Sequence, residues 1–223
     1  MNLSVGLILL IVVAVLILFG VAQRVLDKLR LSDTMALVFV ALIFVGGLIG
    51  DIPIGSRFTI NLGGAVVPIA LCVYLLIKAG TPKEFWRAII ATLVTGGAVW
   101  ALGHYLPNEP EAMPFDINYL YGLAAGVIAY VCGRSRRSAF VAGVMGVTLA
   151  DVGQAVLNWS QGIDQTLQLG GAGAVDVIVI AGLTAVLLAE LIGEVIERMA
   201  RRKNPDPERA FEDGEFVRGA KRK

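Results

Sequence analysis

Seven long apolar runs constrain this chain more than any other feature. They cover about 4–22, 34–50, 58–77, 86–106, 117–132, 138–159 and 171–193. A helix that crosses a bilayer needs roughly 20 mostly apolar residues, because a backbone polar group in hydrocarbon must find its partner within the protein. Charges or turn residues bound the runs, as in Arg24 to Asp33, Asp51 to Arg57 and Pro107 to Pro114. Composition agrees: 57% of the 223 residues are hydrophobic and 17% charged, with a mean hydropathy of +0.75. Soluble domains carry about 45–50% apolar and about 25% charged residues. This balance excludes a soluble enzyme, a disordered chain and, at a net charge of +1, a basic nucleic-acid binder. Two cysteines make neither a disulfide scaffold nor a four-ligand zinc site. The expected fold is all-α, a polytopic transmembrane bundle of about seven spans, with the lipid bilayer as its first partner.

Topology follows from the basic residues. Eighteen of the 19 Lys and Arg fall in alternate loops and the tail, and Arg57 alone falls on the other side. The pattern predicts the N-terminus outside and the C-terminus in the cytoplasm. Gly20-Val21-Ala22 resembles a signal-peptide cleavage site, but Met1 to Ser4 lacks a basic region and the apolar run is long, so the first span is expected to be a retained anchor. The transmembrane domain is expected to occupy 1–193. Residues 194–223 then form a charged, partly disordered cytoplasmic tail with nine basic and seven acidic residues. The tail reads as solvated and touching anionic headgroups, or as a docking surface.

Ionisable groups inside a span are costly and mark functional sites. Asp151 falls in the sixth span and Asp176 in the seventh, at expected depths of about 12 and 8 Å from the outer ends. Thr148, Asp151, Gln154 and Asn158 share one helical face. Small residues at Gly143, Gly146, Ala150 and Gly153 permit close helix approach. Gly171 and Gly173, in the run before Asp176, loosen the start of the seventh helix. Either Asp also reads as a hydrogen-bonded group that joins helices. A second region, Asn61 to Pro68, contains Gly63 and Gly64. Pro68 cannot donate to the Gly64 carbonyl, which is then left to bind a cation or polar solute, or belongs to a plain proline kink. Leu-Gly-Gly-Ala recurs at 62–65 and 169–172, which reads either as a parallel duplication or as chance in a Gly- and Leu-rich chain.

Other features are weaker. His104 precedes Glu109, Glu111 and Asp116, a set expected to be an ordinary solvated acidic loop rather than a metal site. Cys72 and Cys132 read as small apolar residues. Trp86, Trp100, Tyr105, Tyr119, Tyr121 and Trp159 sit near span ends, where an aromatic belt belongs. No nucleotide loop or cofactor motif is present, so no cofactor, no metal and no nucleic-acid partner are expected.

The Asn61-Leu-Gly-Gly-Ala…Pro68 element, Ala150-Asp151 and Gly170-Gly-Ala-Gly-Ala-Val-Asp176 resemble an uncharacterised prokaryotic membrane-protein family, domain of unknown function 1614, over roughly 34–193. The resemblance implies a prokaryotic plasma-membrane protein and brings no activity. In placement alone, Asp151 and Asp176 resemble the catalytic pair of presenilin and signal peptide peptidase. The motifs depart: Ala150 stands where that class has Tyr, Ala174 and Val175 intervene before Asp176, and no Pro-Ala-Leu element is present.

Three functions remain open from sequence. An aspartyl protease would use Asp151 and Asp176 as a dyad that shares a proton, acting on a single-span membrane protein. A small ion- or proton-coupled transporter, expected to be a homodimer, would bind its ion at Asp151 or Asp176, with Asn61, Gly64, Gln154 and Asn158 completing the pocket. A scaffold would use the acids only to join helices.

Overall fold

The computed structural model describes residues 33–105, 117–203, 209–212 and 215–218. The first apolar run and the acidic set Glu109, Glu111 and Asp116 lie outside them. The described chain is mostly helical. Its helices are α1 (Asp33–Ile49), α2 (Val67–Ile77), α3 (Pro82–Tyr105), α4 (Ile117–Gly133), α5 (Arg136–Ser160) and α6 (Val177–Lys203). Strands β1 (Asp51–Pro53), β2 (Phe58–Asn61) and β3 (Leu167–Leu169) form one small sheet, and β4 (Arg209–Glu212) pairs antiparallel with β5 (Glu215–Arg218) in another.

Helix α5 is the axis of the fold, packed against α3, α4 and α6. Two kinds of side chain let it sit there. Phe140, Val141, Val144 and Val147 fill the core with Leu71, Leu75 and Ile178. A second seam is alanine: Ala139 and Ala142 meet Ala91, Ala129, Ala185 and Ala189. Where α5 crosses its neighbours even a methyl is excluded, since a Cβ on Gly143 would lie 2.8 Å from the Ala181 carbonyl oxygen. Small residues at crossings bring backbones together and multiply dispersion contacts.

Local signals fix the helix starts. Thr81-Pro82-Lys83-Glu84 opens α3: the Thr81 hydroxyl accepts from the Glu84 N–H at 3.2 Å, and Pro82 stands in the first turn, where a missing N–H costs nothing. Ser135 caps α5 by accepting from the Ser138 N–H.

Among the described residues two helices, Pro82–Tyr105 and Arg136–Ser160, are long and apolar enough to cross a membrane. The other apolar helices, Leu37–Ile49, Leu62–Ile77, Asn118–Gly133 and Val177–Gly193, are shorter. This is a coarser result than seven spans, and two segments differ in kind from the expectation. The run 58–77 is not one helix. Phe58 to Asn61 pairs with β1 on one side and, in parallel, with β3 on the other. A π-helical turn (Leu62–Val66) follows, and only then the 11-residue α2. Hydropathy alone does not separate a buried strand from a helix, and Thr59 and Ile60 are β-branched residues suited to a strand. Pro68 lies in the first turn of α2, just after the π turn with which α2 forms the continuous run Leu62–Ile77. The run 171–193 likewise begins late: α6 starts at Val177, after a 3₁₀ turn at Gly173–Val175.

The two Leu-Gly-Gly-Ala stretches meet in space. β2 and β3 are parallel neighbours, each leading through a short distorted turn into a helix. The pairing sets Ile60 opposite Leu169, two residues out of step with the match in sequence.

Candidate functional site

The sheet and its glycines form the foundation. Asn61 is 2% exposed, and its side-chain oxygen accepts from the N–H groups of Gly63 and Gly64, both at 3.0 Å. Its amide donates to Asp51 Oδ1 at 3.1 Å. A Cβ on Gly63 would lie 2.0 Å from the Ile43 carbonyl oxygen, and one on Gly64 would lie 2.1 Å from that of Gly170. The backbones of α1, the π turn and the β3–α6 connection are thus in direct contact. That contact fixes the segment running from Gly170 to Asp176.

Within this segment Gly170 and Gly173 take φ of +73° and +61°, a region that disfavours side chains. The chain folds back so that Asp176 precedes α6 in extended conformation. Its Oδ1 accepts from the Ile178 N–H at 3.0 Å and its Oδ2 from the Ala172 N–H at 3.2 Å. Asp176 is therefore the N-cap of α6, with both carboxyl oxygens held by backbone amides. Sequence placed it inside a helix. The glycine run and the strong capping preference of Asp put it at the helix's edge instead.

A cleft of about 850 Å³ opens where α3 and α5 end and α4 and α6 begin. Asp151 lines it from α5 and Asp176 from the mouth of α6. Among the described residues Asp151 has no hydrogen-bond or ion-pair partner. One wall is a chain of hydrogen bonds. Trp100 Nε1 on α3 donates to Gln154 Oε1 at 2.9 Å, Gln154 Nε2 donates to Asn158 Oδ1 at 2.8 Å, and the Asn158 amide donates to Gln165 Oε1. The Trp159 indole donates to the Gln165 carbonyl at 2.8 Å, tying down the loop that carries it. The Trp100 ring also stacks on His104, with centroids 5.9 Å apart and planes 10° apart. Tyr121 of α4 lines the cleft too, and its buried hydroxyl has no hydrogen-bond partner among the described residues. Among the described residues no lysine or arginine belongs to the lining.

Of the residues singled out in the sequence, Asp151, Gln154, Asn158, Gly171 and Asp176 line this cleft. Asn61, Gly63, Gly64, Pro68, Thr148 and Gly173 do not. Asn61, Gly63 and Gly64 build the support beneath it. Thr148 bonds back to the Val144 carbonyl at 2.8 Å within its own helix, and Gly173 packs beside Gly47. Sequence reasoning missed Trp100, His104 and Tyr121 as site residues because an aromatic near a span end looks the same in a belt and in a pocket. It also missed Asp51, whose Oδ2 would lie 3.5 Å from a Cβ on Gly171, at the edge of the cleft. Among the described residues no group of three or more His, Cys, Asp or Glu side chains is placed to hold a metal ion.

The opposite end of the same helices treats its acids differently. Glu84 and Arg137, 6% and 8% exposed at the side chain, form an ion pair at 3.4 Å between α3 and α5. Glu84 Oε2 also accepts from the Gly80 N–H at 3.1 Å. Arg136 pairs with Glu190 of α6. Arg136 and Arg137 had the look of ordinary loop charges in the sequence; the fold buries Arg137 and half-buries Arg136.

Compared with known proteins, residues 51–188 match a family model described as "Protein of unknown function (DUF1614)". No curated protein and no solved structure matches the chain.

Proposed function

The chain belongs to the DUF1614 family of proteins of unknown function, and from its cleft we propose that it is a multi-pass membrane protein that binds a small polar solute and carries it across the prokaryotic plasma membrane. The observation that carries this reading is Asp151, an acid on the central helix that lines an 850 Å³ cleft and has no partner among the described residues. A carboxyl group in such a place is costly unless something binds to it. The apolar outer surface supports the bilayer: Leu48, Ile77, Ile90 and Val131 are between 59% and 75% exposed. With the basic loops in the cytoplasm, the cleft faces outward in a seven-span arrangement.

Aspartyl proteolysis is the second reading, favoured by the two acids lining one cleft. It asks both carboxyls to exchange a proton, whereas both oxygens of Asp176 already serve as a helix cap. Solute binding makes no such demand, so we place it first. One substitution separates the two. Asn caps a helix about as well as Asp. Asp176→Asn should keep the fold and retain solute binding, whereas a protease would lose all cleavage of a single-span reporter.

The test of the main reading uses the full chain in detergent and its thermal unfolding against a broad panel of small polar solutes. At least one solute should raise the midpoint in a saturable manner, and Asp151→Asn should remove the response while leaving the unliganded midpoint in place. A panel without any response overturns the reading. Orientation is checked in cells with a chain lacking Cys72 and Cys132. Gln165→Cys should react with an impermeant maleimide added outside, and labelling only after lysis would reverse the topology.

A further inference from the structure

We propose that the solute is a small organic cation bearing an ammonium group, held by Asp151 with the Trp100 ring as its second contact. The inference rests on the solute-binding reading above and names the chemistry of that site. Three observations converge on it.

The first is charge. Among the described residues the lining contains two carboxyl groups and one histidine, His104, but no lysine or arginine, a balance that favours a cation over an anion. The second is size. A volume of about 850 Å³ lies in the range of pockets that take organic ligands, and it far exceeds what a proton or bare metal ion occupies. No cluster of three ligating side chains is formed among the described residues either. The third is the wall. Trp100 is fixed from both sides, by its indole bond to Gln154 and by stacking on His104. An ordered aromatic ring lining the same cleft as an acid suits an ammonium ion, because the ring quadrupole and the carboxyl attract the same charge.

The Gln154–Asn158–Gln165 relay adds to this by holding the wall in one arrangement before the ligand arrives, so little rotamer freedom is lost on binding. Asp176 contributes charge at the cleft mouth, but its oxygens are already engaged with the helix backbone. Direct contact with the cation therefore falls to Asp151.

The experiment is a binding titration of the full chain in detergent with five probes: choline, spermidine, glucose, glutamate and calcium chloride. Choline or spermidine should bind saturably, and glutamate should not. Asp151→Asn should weaken that binding at least ten-fold. Trp100→Leu should weaken choline several-fold, and Gln154→Ala serves as a second wall variant if the Trp100 change impairs folding. Glucose binding that is lost in Asp151→Asn overturns the cation assignment and leaves solute binding at Asp151 standing. Calcium as the single effective probe also overturns it, in favour of a metal site. Silence from all five probes while another solute of the broad panel binds refutes the cation alone, and silence across that panel refutes the solute-binding reading itself.

Discussion

The two ends of α5 differ in how they house acidic side chains, and that difference separates structure from function. At its start, buried Glu84 has Arg137 and half-buried Glu190 has Arg136, so each of these acids has a cation from the central helix. Some fourteen residues further on, roughly 21 Å along the axis, Asp151 lines a cleft that has no lysine or arginine among its described walls. Both ends use the same helices and similar packing. Glu84 and Glu190 each meet an arginine within the protein, whereas Asp151 has no such partner among the described residues.

The largest expected effect tests the paired end. Removing one member of a buried ion pair leaves the other charge uncompensated, typically at about 3–5 kcal/mol. Arg137→Met should therefore lower the unfolding midpoint strongly, and the double change with Glu84→Gln should recover much of the loss. If Arg137→Met were as mild as Asp151→Asn, the contrast between the two ends would collapse. Next come the glycines beneath the cleft. Gly64→Ala drives a methyl into the Gly170 carbonyl oxygen. It should cost about 1–3 kcal/mol by overpacking and should also weaken solute binding, since Gly170 anchors the segment that carries Asp176. Capping is smaller again: Asp176→Ala should cost about 1 kcal/mol, and Asn, which keeps one of the two accepting oxygens, should cost less. The smallest effect belongs to the exposed ion pair of Arg57 with Asp164 at 2.9 Å. Arg57→Ala should shift the midpoint barely, because solvated pairs contribute about 0–1 kcal/mol. A large loss there would mean that the β2–β3 edge depends on charge rather than on its hydrogen bonds.

Much of the framework was legible in the sequence. The ends of α1, α3, α4 and α5 fall close to the apolar runs, because hydropathy reports which residues avoid water whatever they pack against. The Asp151, Gln154 and Asn158 stripe was legible because helical periodicity puts those positions on one face whether or not a cleft forms. The start of α6 was not, since glycine permits both a helix and a turn, and the close approach of Gly64 to Gly170 selects the turn. Strand β2 was hidden for a related reason. Phe58-Thr59-Ile60-Asn61 satisfies an apolar window, and only pairing with β1 and β3 makes it a strand.

The sequence by itself determined that the chain is apolar, mostly helical and marked by a few acids inside its apolar segments, and its motifs already resembled the family to which it belongs. These properties reside in residue types and in spacings of a few positions, so they survive without knowledge of the fold. Tertiary structure decided which acids are satisfied. Glu84 meets Arg137 across 53 residues of chain and Trp100 meets Gln154 across 54. Asp176 became a cap because a glycine crossing turned the chain just before it. Pairing of this kind depends on which helices lie side by side, and no local pattern along the sequence encodes that.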